Sequence, residues 1–172
     1  MKKSEITTSE YHKYYSAYLA QIDDKTELLE GYLSGLNVIL NFFQSIPSDI
    51  LIYRYAEGKW SVKEIFQHLI DAERVFTHRC FRIARHDKTS LAGFDENDYI
   101  EPSGANDKSI ETLIEEFEAV RQNSIVMLKN FKANDLNFVG NANGSSLSAR
   151  ASAFINLGHY MWHIKIVKER YL

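Results

Sequence analysis

Three histidines carry the strongest chemical signal in the chain. His159 and His163 form an H-x-x-x-H pair. A helix places such residues on one face, roughly 6 Å apart along its axis. His68 stands far upstream, on another apolar stripe. Imidazole nitrogens hold first-row divalent ions at about 2.0–2.1 Å. Two helices that bring these side chains together make a three-nitrogen site with coordination positions left open. A divalent ion there draws a nucleophile from a thiol or a water near neutral pH. A core histidine taken alone is usually satisfied by one hydrogen bond, and H-x-x-x-H alone is common by chance. The third histidine is what changes the reading, because burying three imidazoles with no proton or ion to share is costly.

Other constellations offer less. Asp71 lies three residues after His68 and flanks the same face, so it reads as a group that orients an imidazole or accepts a proton, or as a plain salt bridge. Arg74, His78, Arg82 and Arg85 form a second stripe, either a solvated face or a basic wall for an anionic ligand; Arg150 is open to the same two readings. Cys80 falls on an apolar stripe with no base beside it in sequence, which reads as core. E-x-x-H, needed twice by carboxylate-bridged di-iron bundles, does not occur. H-E-x-x-H, the P-loop and G-x-G-x-x-G are also absent. The acidic run Asp95-Glu96-Asn97-Asp98 lacks the glycine and spacing of an EF-hand and reads as solvated loop.

Positioning these groups requires helices. The apolar period is 3.6 nearly everywhere outside loops. A first long helix is predicted over about 24–44, with Asp24 and Glu27 as a capping signal and Pro47 past its end. Gly31 and Gly35 would let a neighbour pack closely. A second helix starts at the capping box Ser61-Val62-Lys63-Glu64, with Trp60 and Ile65 as hydrophobic staple, and ends near residue 86. A third spans about 107–131. Residues 134–146, rich in Asn, Gly and Ser, read as a loop. A fourth starts near Ser146 or Ser148 and runs to the last residues. Residues 9–19 are an ambiguous, Tyr-rich short helix. No segment alternates as a strand. The economical arrangement is an all-α four-helix bundle formed by one domain over 1–172. The connection over 86–106 is too long for a tight turn, so it crosses the bundle and leaves helices two and three parallel.

The chain has 172 residues, of which 45% are hydrophobic and 25% charged, a globular balance that argues against disorder. Lys and Arg number 20 against 23 Asp and Glu, net −3, which speaks against binding nucleic acid through phosphate charge. A single cysteine cannot form an intramolecular disulfide, and no apolar run approaches the roughly 18 residues of a membrane span. The polar first residues lack a signal-peptide core. A cytoplasmic setting is the expectation.

The run from Gly58 to Arg74, with Trp60-Ser61-Val62-Lys63-Glu64 and His68-Leu69-Ile70-Asp71-Ala72-Glu73-Arg74, resembles the signature of the DinB-like superfamily. So do Arg82-Ile83-Ala84-Arg85, Gly93-Phe94-Asp95 and Gly158-His159-Tyr160-Met161-Trp162-His163. The resemblance implies an up-down-down-up bundle, often a homodimer. It also implies a divalent metal ion (nickel, zinc or another first-row ion) on three histidines, matched here by His68, His159 and His163. Characterised relatives, bacillithiol transferases and mycothiol-dependent maleylpyruvate isomerase among them, activate a low-molecular-weight thiol. The function implied is a metal-dependent thiol S-transferase acting on a small molecule, with a non-catalytic binding bundle as the alternative. Trp162 departs from the pattern, since many relatives carry a histidine just before the last ligand.

Overall fold

A computed structural model describes residues 1–172. Seven helices form: α1 (Ser16–Leu19), α2 (Leu28–Gln44), α3 (Val62–Ala84), α4 (Asn97–Ser103), α5 (Ile110–Lys129), α6 (Ala133–Leu136) and α7 (Ala149–Arg170). The four long ones, α2, α3, α5 and α7, make the bundle. Three begin at a serine that caps them. The Glu64 amide donates to Ser61 Oγ at 3.2 Å and the Ser61 amide to the Glu64 carboxylate at 2.6 Å, the predicted capping box. Ser109 and Ser148 accept from the Thr112 and Ala151 amides at 3.1 and 3.0 Å.

The first helix starts later than predicted. Asp24 and Glu27 do not cap it: Asp24 accepts from Lys3 Nζ, and Glu27 from the terminal amine of Met1. Two ammonium groups of the folded-back N-terminal segment thus take the carboxylates. Residues 9–19 become 3-10 turns over Thr8–Glu10 and Lys13–Tyr15, followed by α1.

Side-chain contacts fix the direction of each helix. Gln67, Glu73 and Thr77 of α3 bond to Glu116, Arg121 and Ser124 of α5 in the same order, so α3 and α5 are parallel. Tyr171 bonds to the Trp60 carbonyl at one end of α3, and Ser152 to the Phe76 carbonyl further along, so α7 is antiparallel to α3. Tyr32 of α2 bonds to the Ala153 carbonyl, and a Cβ on Gly35 would press on Tyr160, which makes α2 parallel to α7. The topology is therefore up-down-down-up. Gly31 meets Leu157 in the same seam. The crossover between α3 and α5 carries α4 and a 3-10 turn, Ala105–Asp107. It is tied to the first turn of α3, where Lys63 Nζ donates to the Asn106 and Lys108 carbonyls.

Thirty-seven buried apolar residues form one core cluster, centred on a stack of Phe43 on Phe66 with centroids 4.0 Å apart. Within it lies an ion pair that periodicity did not reveal. Arg121 donates to both carboxylate oxygens of Glu73 at 2.7–3.0 Å, and both side chains are 1% exposed. Tyr32, Phe117 and Tyr160 surround the guanidinium at 4.8–5.3 Å.

The expected loop over 134–146 is instead structured. After α6, strands β1 (Val139–Ala142) and β2 (Ser145–Ser148) pair antiparallel. Asn143 and Gly144 connect them, both at positive φ (52° and 74°), the signature of a type I′ hairpin turn. Leu91 of the crossover adds a bridge to Ala142. So short a pair is marginal by itself, and that contact together with Ile83 beneath Gly140 supplies its support.

Candidate metal centre

His68 sits two turns into α3, on the face that meets α7. His159 and His163 project from α7 onto that face. The three are 6%, 5% and 7% exposed. His68 Nε2 and His159 Nε2 are 3.0 Å apart, and His163 Nε2 lies 3.1 Å from His159 Nε2. Burial pushes the His68 pKa down to about 4. Burial, then the neighbouring imidazoles, drives His159 and His163 well below the usual histidine range. All three rings are therefore neutral at pH 7. Three neutral imidazoles whose Nε2 atoms converge cannot all satisfy one another, because a single N–H cannot serve two lone pairs with good geometry. A divalent cation fits this donor set. With metal–nitrogen bonds of about 2.0–2.1 Å, ligand nitrogens lie about 2.9–3.4 Å apart for bond angles between square and tetrahedral. No other His, Cys, Asp or Glu joins the cluster.

Aromatic rings hold the imidazoles. Trp60 packs on His68 at 4.8 Å, Tyr18 on His159 at 5.0 Å and Trp162 on His163 at 4.9 Å. Tyr18 reaches this place because α1 lies directly on α7 at Gly158. A Cβ there would stand 2.0 Å from the Tyr18 carbonyl oxygen.

Two cavities open beside the triad. One, of about 360 Å³, includes His68, His159, Phe76 and Arg79. The other, of about 310 Å³, includes His68, His163, Trp60 and Trp162. Tyr14, Tyr18, His68 and Glu96 belong to both.

The model of the DinB superfamily matches residues 34–167, which hold all three histidines and the four bundle helices but for the first turns of α2 and the last of α7. The chain belongs to the DinB superfamily. Among solved structures it resembles YfiT from Bacillus subtilis, described as a probable metal-dependent hydrolase with an unusual four-helix bundle topology. The TM-score is 0.69 at 12% identity, covering 94% of this chain and 93% of that one. It also resembles a DinB-like protein, YjoA, from Bacillus subtilis, with a TM-score of 0.57 at 16% identity over 84% and 91% of the two chains. At such identities the likeness establishes the shared fold. No curated protein matches the sequence.

Asp71, the candidate proton acceptor beside His68 in sequence, is not brought to the triad. Its carboxylate accepts from Gln67 at 3.2 Å and Arg74 at 3.0 Å, and both of these donors also reach Glu116 of α5. Residues three apart diverge by about 60° around a helix, and here that turns Asp71 toward α5 while His68 faces α7. Burial raises the Asp71 pKa despite Arg74. Cys80 is core, its thiol pushed up to about 12 by burial. The arginines of the basic stripe are engaged, Arg74 with Asp71 and Glu116, Arg82 with Asp87 and Arg85 over Phe131, while His78 is exposed. Arg150 binds Glu10 at 2.7 Å through two nitrogens. Sequence reasoning missed Tyr18 and Arg79 as cavity walls. It also cast Trp60 only as a staple, whereas its ring supports His68.

Proposed function

We propose that this DinB superfamily protein is a divalent-metal-dependent enzyme that joins a low-molecular-weight thiol to a small electrophile, with the ion held by His68, His159 and His163. One observation carries the reading: two cavities meet at a triad that recruits no fourth protein ligand. A closed shell would suit a structural ion. Two chambers that share His68 suit two substrates brought to one point. A divalent ion there supplies Lewis acidity, so that a thiol is a nucleophile near neutral pH. The protein's own groups do the rest. The neutral imidazoles offer lone pairs, the aromatic collar holds their orientation, and each chamber places one reactant. In the transfer, the S–H proton leaves to solvent, sulfur donates its pair to the electrophilic carbon, and the leaving group departs with the bonding pair.

Hydrolysis is the second reading, because the solved relative YfiT is described as a probable metal-dependent hydrolase; it needs only one chamber. A homodimer belongs to the family-based reading, and sedimentation of the intact chain tests it. For the reaction, several thiols are mixed with an aryl halide, and separately an ester is offered without thiol. The transferase reading expects metal-dependent thioether formation that falls to the metal-free rate in His68→Ala. Ester cleavage without thiol turnover would favour the hydrolase. Identical rates with and without ion in every mixture would replace both with a binding module.

A further inference from the structure

We infer that the chamber lined by His68 and His159 takes its ligand by a carboxylate, and that Arg79 is the group that anchors it. The inference rests on the proposed function for which end of the ligand reacts; the contact itself does not depend on it. Arg79 is 3% exposed, yet no carboxylate lies within ion-pair distance of it. The other fully buried arginine, Arg121, has both oxygens of Glu73. Buried arginines are almost always paired, because a desolvated cation without a counter-charge is costly. Arg79 instead donates to two neutral acceptors, the Tyr15 hydroxyl at 3.4 Å and the Ala92 carbonyl at 3.1 Å. Its Nε–H has no protein partner, and the protein contains no polar side-chain atom that is both buried and unpartnered. That donor is therefore not fully enclosed by protein, and Arg79 is part of the chamber wall. Phe76 and Phe94 flank the guanidinium at 5.8 and 5.6 Å, leaving its charge only partly compensated.

The charge balance narrows the ligand. The only carboxylate of the chamber is Glu96, which has no cationic partner of its own. In the metal-free protein, a dianion such as a phosphate monoester would meet one guanidinium, Arg79, and one carboxylate, Glu96. A monocarboxylate matches the single fork, with two parallel N–H···O bonds available. Aromatic walls suit a flat, unsaturated body. Arg79 follows His68 by eleven residues on α3, about 16 Å along the axis at 1.5 Å per residue, and helical side chains lean back toward the N-terminus. A ligand held at Arg79 thus extends toward the histidines.

The test is calorimetric, on protein stripped of metal by chelation so that no carboxylate can bind an ion. Cinnamate, cinnamamide and phenyl phosphate are the probes. Cinnamate is expected to bind about tenfold or more tightly than the amide, and phenyl phosphate to gain nothing over cinnamate. Arg79→Gln should bring acid and amide to equal affinity, and Arg79→Lys should restore part of the difference. Should Arg79→Gln not fold, the wild-type protein decides: cinnamate, and not the amide, should shift the Arg79 Nε–H resonance. Equal binding of acid and amide overturns the inference. So does a preference that survives in Arg79→Gln or that appears only after metal is added. A retained preference for the acid without thiol transfer removes the reaction reading and leaves the anchor. Thiol transfer without that preference does the reverse.

Discussion

Replacing His163 by Ala removes one of three converging nitrogens and leaves two that are held by the same packing. Wild-type protein purified without a histidine tag should carry close to one divalent ion per chain, and His163→Ala should lose most of it. Elemental analysis checks this; full retention would take His163 out of the site. Asp71→Asn is the contrast, and should leave the ion in place, because that carboxylate is engaged with Gln67 and Arg74. The histidines were legible because three imidazoles fall on apolar stripes together, and burying all three without a shared proton or ion is costly. Glu73, Arg79 and Arg121 were not, because a charged residue looks the same in sequence whether it meets solvent or a buried partner. Only the parallel run of α3 and α5 puts Glu73 against Arg121.

At the scale of the helix, the site depends on where α3 begins. Ser61 Oγ caps the Glu64 amide and also donates to Asn106 of the crossover at 2.6 Å. Ser61→Ala should cost about 0.5–2 kcal/mol. An unchanged denaturation midpoint would mean that the cap contributes nothing. Gly158→Ala acts on a different element. The added methyl would meet a backbone oxygen of α1, which cannot rotate away, so overpacking of about 1–3 kcal/mol is expected. Tyr18 should move off His159 with it, and thermal unfolding of the variant matching wild type would contradict this packing. Caps, periodicity and the long crossover were readable because each is a local rule. The hairpin was not, since four-residue strands carry little alternation, although Asn143-Gly144 was a local signal for a two-residue turn. The late start of α2 was hidden for another reason: its two carboxylates answer amines contributed by residues 1 and 3, a contact set by tertiary folding.

Across the whole molecule, the N-terminal segment is fastened to α7 by Glu10, which accepts from Ser148 and from Arg150. Burial pushes its carboxyl up, but Arg150, the Thr7 amide and Ser148 outweigh that and hold it near 2, against an ordinary 4.5. A depressed carboxyl stabilises the fold fully above the unfolded value and loses that contribution as pH falls from about 4.5 toward 2. Glu10→Gln should flatten the acid limb of the stability curve in that window. A limb of unchanged steepness would show that the carboxylate is not what titrates. The up-down-down-up path has its own kinetic consequence. Ninety-one positions separate His68 from His159, and closing such a loop costs on the order of 4 kcal/mol of chain entropy. Until α7 docks on α3, an ion finds at most the two histidines of one helix. Metal should therefore slow unfolding and leave the refolding rate as it is, a split that stopped-flow measurements resolve. Refolding that quickens with ion concentration would mean that the triad forms before the barrier. Otherwise the ion arrives after the chain has closed, and governs how long the native state lasts, not how fast it is reached.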